Sequence, residues 1–296
     1  MLYKAAVLIS LTLLLAGCQP ASARPTATPS TASTNCPTGD HMEELTSGDE
    51  VREYRIHVPT TYQPEKPAAL VLGFHGAGSN AWEFESYSDF SSVADCEGFI
   101  VVYPNAREGH RTWNTTPGPN NPDIRFISDL IEELKSRCNI DPNRIYASGH
   151  SNGGGMANRL ACALGDRIAA IGTVSGAYEG AEECYPSQPV AVSAIHGTND
   201  PIIPYNAFQS MKEPPAAYYL ISIPIPQWAS AWANRNGCDP IAAQSDEYEQ
   251  VTAQKWSNCR VDADVILYTI QGGGHEWPAH RFDVAQTIWN FFERHP

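Results

Sequence analysis

Gly149-His150-Ser151-Asn152-Gly153 sets a serine between two glycines at the spacing GxSxG. A serine hydroxyl becomes a nucleophile only when a neighbouring base takes its proton. The spacing alone is a weak signal, and its setting carries the meaning. A short apolar strand, Arg144 to Ser148, runs into it, and a helix bearing Ala and Met, Gly155 to Leu164, follows. A sharp strand-to-helix turn lifts such a hydroxyl above a sheet and admits only small neighbours. The helix behind it directs its N-terminal dipole at the same point. Of the nine histidines, His275 is selected as the base, because it follows the apolar strand Val265 to Ile270 through Gln271-Gly272-Gly273-Gly274. His280, which opens the last helix, and His295, at the terminus, are its rivals. The base needs an acid to hold its tautomer and stabilise the imidazolium. Asp200, in His196-Gly197-Thr198-Asn199-Asp200 just past the strand Val190 to Ile195, is preferred to Asp239, Asp262 and Asp264, which lie near cysteines or before a strand. Two preorganised N–H donors must meet the developing oxyanion. They are expected from the backbone of Asn152 and of Ala77, the latter within His75-Gly76-Ala77-Gly78. The chemistry is acyl transfer through an acyl-enzyme.

Each of these residues sits where a predicted strand ends. Tyr54 to Val58, Ala69 to Phe74, Phe99 to Tyr103, Arg144 to Ser148, Ile168 to Val174, Val190 to Ile195 and Val265 to Ile270 read as strands. Asp123 to Arg137, Gly155 to Leu164, Gln227 to Asn236 and Phe282 to Phe292 read as helices. Such alternation predicts an α/β fold, a mostly parallel central sheet with helices on both faces, and ligands bind beyond the carboxyl ends of such strands. The chain order Ser151, Asp200, His275 is the α/β-hydrolase order. No HExxH, no Cys/His cluster at zinc spacing, no GxxxxGK[ST] and no GxGxxG opening a helix occurs. No metal and no cofactor is expected, and the chemistry needs none.

Composition narrows the setting. The 296 residues are 42% apolar, with a formal charge of −14 and no basic run, which argues against binding nucleic acid or an anionic membrane by charge. Eight cysteines without a CxxC pair point to an oxidising compartment. Residues 1–17 read as a signal peptide: Lys4, then an apolar run from Ala5 to Ala16 that is too short to span a bilayer. The run stops at Leu15-Ala16-Gly17-Cys18, which resembles the bacterial lipobox and makes Cys18 the expected lipid anchor. Residues 18–35, dominated by Ala, Pro, Ser and Thr, read as a tether. Residues 36–296 are expected to form one domain, monomeric, secreted or held at the envelope by its lipid.

The motifs HGAG (75–78), VVYPN (101–105), RTWN (111–114), RIYASGHSNGGGMA (144–157), HGTNDPIIPY (196–205), WANRNGC (232–238) and GGGHEWP (272–278) occur in this order. Together they resemble the esterase family of feruloyl esterases and polyhydroxybutyrate depolymerases. The resemblance implies an α/β-hydrolase fold, serine esterase activity on aryl, acyl or polyester bonds, and the Ser151-His275-Asp200 triad. A peptidase or thioesterase on the same fold, or a binding lipoprotein without activity, is the alternative. His75, Trp113, Tyr205 and Trp277 are expected to line the substrate pocket. Residues 206–227, with four prolines, are a candidate cap over it. A Cys238–Cys259 disulfide is also implied. Cys162 with Cys184 is a further expected pair, and lipidation of Cys18 would leave one thiol over.

Overall fold

The structure is a computed structural model that describes residues 36–178, 183–207 and 223–296. Its elements in chain order are β1 (Gly39–Ser47), β2 (Glu50–Val58), β3 (Ala68–Phe74), α1 (Ala81–Ser88), α2 (Phe90–Glu97), β4 (Ile100–Pro104), α3 (Pro122–Arg137), β5 (Ile140–His150), α4 (Asn152–Ala163), β6 (Ala170–Val174), β7 (Ala191–Gly197), α5 (Ile225–Asn236), β8 (Ala243–Tyr248), β9 (Val251–Trp256), β10 (Val265–Ile270) and α6 (Val284–Phe292). One sheet holds ten strands in the order β1-β2-β4-β3-β5-β6-β7-β10-β9-β8. The six from β4 to β10 are parallel, and antiparallel pairs extend both edges.

The continuous apolar runs became the central strands because helices cover both faces. Along β3, Leu70, Leu72 and Phe74 join the core beneath α3, α4 and α5, while Ala69 and Val71 join the core beneath α1, α2 and α6. The predicted helix at Asp123 to Arg137 is α3. It starts at Pro122 beneath an Asn121 cap that accepts from the N–H groups of Asp123 and Ile124, as an Asn before Pro should. Five elements carried no readable pattern. Strands β1 and β8 lie at the sheet edges, where polar side chains face solvent and β8 is exposed throughout. Strand β9 and the short helices α1 and α2 were likewise not anticipated.

Three disulfides fasten the periphery: Cys36–Cys138, Cys162–Cys184 and Cys238–Cys259. Cys96 is disulfide-bonded too, and no described cysteine is free. The expected leftover thiol is therefore corrected; it came from assigning Cys18 to a lipid and pairing the other cysteines among themselves. The predicted signal peptide (1–17), Cys18 and the tether lie outside the described residues, as does most of the stretch 206–227 read as a cap. Among the described residues, no helix is long and apolar enough to cross a membrane.

Candidate active site

Ser151 stands between β5 and α4 with φ 57° and ψ −120°, a backbone conformation a non-glycine residue holds only when its surroundings over-determine it. Here they do. The Ser151 N–H donates to the Val174 carbonyl at 2.9 Å, and its carbonyl accepts from the N–H groups of Gly155 and Ala177, each at 3.0 Å. The turn needs glycine at 153, because a Cβ there would lie 2.1 Å from the Phe74 carbonyl oxygen.

The base and the acid arrive on loops that run side by side. Asn199 N–H donates to the Gly273 carbonyl at 2.9 Å, and Thr198 N–H to that of Ile270 at 3.0 Å. A Cβ at Gly197 would stand 2.2 Å from the Gly273 oxygen, so this close approach requires glycine. The result brings together three residues far apart in sequence. His275 Nε2 lies 2.9 Å from Ser151 Oγ, and His275 Nδ1 lies 2.8 Å from Asp200 Oδ2. An ionised carboxylate only accepts. Nδ1 therefore carries the proton, and Nε2 is left to accept from the serine.

Asp200 is buried, and its partners are all donors. Oδ1 accepts from the N–H groups of Ile202 and Ile203, at 2.9 and 2.8 Å. Beyond His275, Oδ2 faces His196 Nε2 at 3.3 Å. Burial pushes the carboxyl upward, but the hydrogen bonds of His196, His275 and Ile203 outweigh it and hold Asp200 well below the usual carboxylate range. His196 Nε2 also lies 2.8 Å from the Ile203 carbonyl, so Nε2 is its protonated nitrogen. Sequence reasoning passed over this second histidine, although it stands four residues before Asp200 at the end of β7.

A cavity of about 410 Å³ opens over the serine, lined by Gly76, Ala77, Ser79, Tyr87, His150, Ser151, His275 and Trp277. Among the described residues, the N–H of Ala77 has no hydrogen-bond partner, and Asn152 opens α4 with its N–H ahead of the helical ladder. Both are thus free to receive an oxyanion. Trp277 forms the apolar wall, edge-on to Phe84, Tyr87 and Phe90. Tyr87 was missed because α1 was missed. His150 was visible in the GxSxG motif but not seen as a cavity residue.

The other three expected pocket residues lie elsewhere. Trp113 is 2% exposed and sits behind the loop after β3, its indole N–H donating to the His75 carbonyl at 3.0 Å. His75 is buried as well. Its Nε2 accepts from the Ala106 N–H at 3.1 Å, which leaves Nδ1–H to donate to the Gly76 carbonyl at 2.8 Å. Burial lowers its pKa, in keeping with a neutral ring. Tyr205 turns its hydroxyl to Thr269 Oγ1 at 2.7 Å and borders a separate depression with Gln244 and Gln271. Internal hydrogen bonds took these polar aromatic groups away from the cavity. The rivals of the triad are also remote in role: His280 is exposed beside Glu276, Asp239 accepts from Asn258, and Asp264 pairs with Lys255. Asp40, His57 and Glu85 converge within 4.8 Å, but Arg55 pairs with both carboxylates and supplies the positive charge there.

Residues 53–213 match the family model described as Esterase PHB depolymerase. The chain is 30% identical over 235 residues to Feruloyl esterase B of Piromyces equi, covering 76% of this chain and 42% of that protein. It thus spans less than half the length of that relative. It is 29% identical to Putative esterase NocK of Nocardia uniformis subsp. tsuyamanensis, covering 83% of this chain and 76% of that one. Feruloyl esterase C of Emericella nidulans is 28% identical, over 76% of each chain. Among solved structures, an acetyl xylan esterase from Aspergillus awamori superposes with a TM-score of 0.64 at 15% identity, covering 86% of this chain and 99% of that one. A ferulic acid esterase from Anaeromyces mucronatus superposes with a TM-score of 0.54 at 16% identity, covering 93% of each. At such identities the superpositions speak to the fold, which is the α/β-hydrolase fold. With over half its length matched, and the parallel sheet and its serine turn within the match, this chain belongs to the Esterase PHB depolymerase family.

Proposed function

We propose that this protein is a serine carboxylic-ester hydrolase acting through an acyl-enzyme. The observation that carries the reading is the unbroken chain from Ser151 Oγ to His275, at 2.9 Å, and on to Asp200, at 2.8 Å. Ser151 attacks the ester carbonyl while His275 takes its proton on Nε2. Asp200 keeps the other ring nitrogen protonated and stabilises the imidazolium. The oxyanion rests on the N–H groups of Ala77 and Asn152. His275 then protonates the departing alcohol. Water enters by the same route in reverse and releases the acid.

The wall made by Trp277 and Tyr87 supports an aryl or otherwise apolar acyl group as the preferred acid. The names of the feruloyl esterases among the relatives point the same way. An N-terminal signal would place residues 36–296 outside the cytoplasm, and the disulfides suit such a compartment.

An ester panel with purified protein tests the reading. Methyl ferulate and p-nitrophenyl acetate should be cleaved, with short hydroxybutyrate oligomers and a peptide anilide as competitors. Ser151→Ala should abolish cleavage. Full activity in that variant would sink the mechanism, and preference for the anilide would make the enzyme a peptidase.

A further inference from the structure

Strand pairing between β3 and β5 ends at Phe74 and Gly149. Beyond that point the two oxyanion donors stand on separate segments, Ala77 in the loop after β3 and Asn152 at the start of α4. Among the described residues, the hydrogen bonds that link those segments run through a third, residues 105–113. On the Ala77 side, Gly78 N–H donates to the Arg111 carbonyl at 2.7 Å, Arg111 Nε donates to the Ser79 carbonyl at 3.2 Å, and the Trp113 indole N–H reaches the His75 carbonyl at 3.0 Å. On the Asn152 side, Trp113 N–H donates to Asn152 Oδ1 at 2.7 Å, and Asn152 Nδ2 donates to the Trp113 carbonyl at 3.1 Å. The Asn152 carboxamide thus meets one residue's backbone as a paired strand would.

The segment is itself anchored. Buried Arg52 donates to the Asn105 carbonyl at 3.0 Å and pairs with buried Asp123 at 2.8 Å, and Asp123 Oδ2 accepts from Asn114 N–H at 2.8 Å. Arg111 is held at φ 48°, left-handed backbone in a residue with a side chain, which marks a loop constrained by its contacts.

We propose that Trp113 and the side chain of Asn152 are positioning residues that fix the separation of the two oxyanion donors. The inference rests on Ala77 and Asn152 serving as those donors. The physical requirement is strict. Donors must lie about 2.7–3.1 Å from the developing oxyanion, and a displacement of about 1 Å costs on the order of a hundredfold in rate. Neither group touches the substrate; each acts through a backbone N–H.

Two substitutions each remove side-chain bonds of the brace and leave both donors in place. Trp113→Phe keeps an aromatic ring but removes the indole N–H and trims the buried side chain. Asn152→Ala removes the carboxamide and keeps the backbone N–H. Active sites are titrated with a fluorophosphonate, so that misfolded protein is not counted. Each variant should lose tenfold or more in kcat per titrated site on p-nitrophenyl acetate, with KM within twofold of the parent. Affinity for an aryl boronic acid, which forms a tetrahedral anion on Ser151, should fall in parallel. The double variant should lie within threefold of the worse single one, because one brace can be broken only once. Singles that keep kcat per site and boronic acid affinity within twofold overturn the proposal, whatever happens to Tm. Losses that multiply in the double variant overturn it too. Asn152→Ala touches the start of α4, so Trp113→Phe decides the matter if the former does not fold. Parent protein that fails to react with the fluorophosphonate would instead overturn the serine-esterase reading beneath it.

Discussion

The imidazole ring of His150 stands 5.1 Å from that of His275, tilted 33° to it. Burial, reinforced by the neighbouring His275, lowers the His150 pKa to about 4. In the unfolded chain a histidine titrates near 6.5. Between these values the unfolded chain holds a proton that the folded one refuses. Stability should therefore fall as pH drops from about 6.5 to about 4, with no further loss from this group below that. The effect is on the order of 2–3 kcal/mol. Urea unfolding at pH 7 and pH 4.5 measures it, and His150→Gln should flatten the difference. An unchanged difference in the variant would remove His150 as its source.

Asp200 has its partners arranged so that only a charged carboxylate satisfies them all. In Asp200→Asn the amide fits the same space but offers an N–H toward His275 Nδ1. The ring then holds the wrong tautomer, and kcat should drop on the order of a thousandfold or more with little change in KM. Steady-state kinetics on p-nitrophenyl acetate read this directly; retention of even a tenth of the rate would speak for another acid.

Trp277 is the largest side chain lining the cavity. Aromatic contacts contribute about 0.5–1.5 kcal/mol beyond burial. Trp277→Ala should thus raise KM for methyl ferulate roughly three- to tenfold, while KM for an acetyl ester moves less than twofold. The ratio of the two is the test, since Trp277 also packs on Phe84 and Phe90 and its loss will lower stability for every substrate alike. Equal shifts would place the acyl group elsewhere.

The Cys36–Cys138 bridge spans 102 residues, whereas Cys162–Cys184 spans 22. Closing the longer loop removes more freedom from the unfolded chain, about 5 kcal/mol against about 3. Paired Cys→Ser variants compared by urea unfolding should show the larger loss for the first pair. The reverse order would mean that local packing, not chain entropy, governs these bridges.

Short-range pattern was sufficient for the parallel strands and for singling out three residues that the fold brings within hydrogen-bond distance of one another. Strand β10 was predicted to the residue, Val265 to Ile270, because a strand buried on both faces reads as a near-continuous apolar run. Ser151, Asp200 and His275 could be singled out because each lies within five residues of the end of such a strand, so a short turn decides where its side chain goes. Strands β1 and β8 were not legible, since an edge strand with a wet face carries no strong apolar signature. The same limit explains the pocket. Trp113 looked like a wall residue, and only its bonds to His75, 38 positions away, and to Asn152, 39 positions away, turned it inward. By itself, then, the sequence determined the strand ends and the candidate reacting groups near them. The tertiary structure decided which loop residues line the cavity and which bond to one another behind it, because those choices depend on partners far apart in the chain that meet only once the sheet has formed.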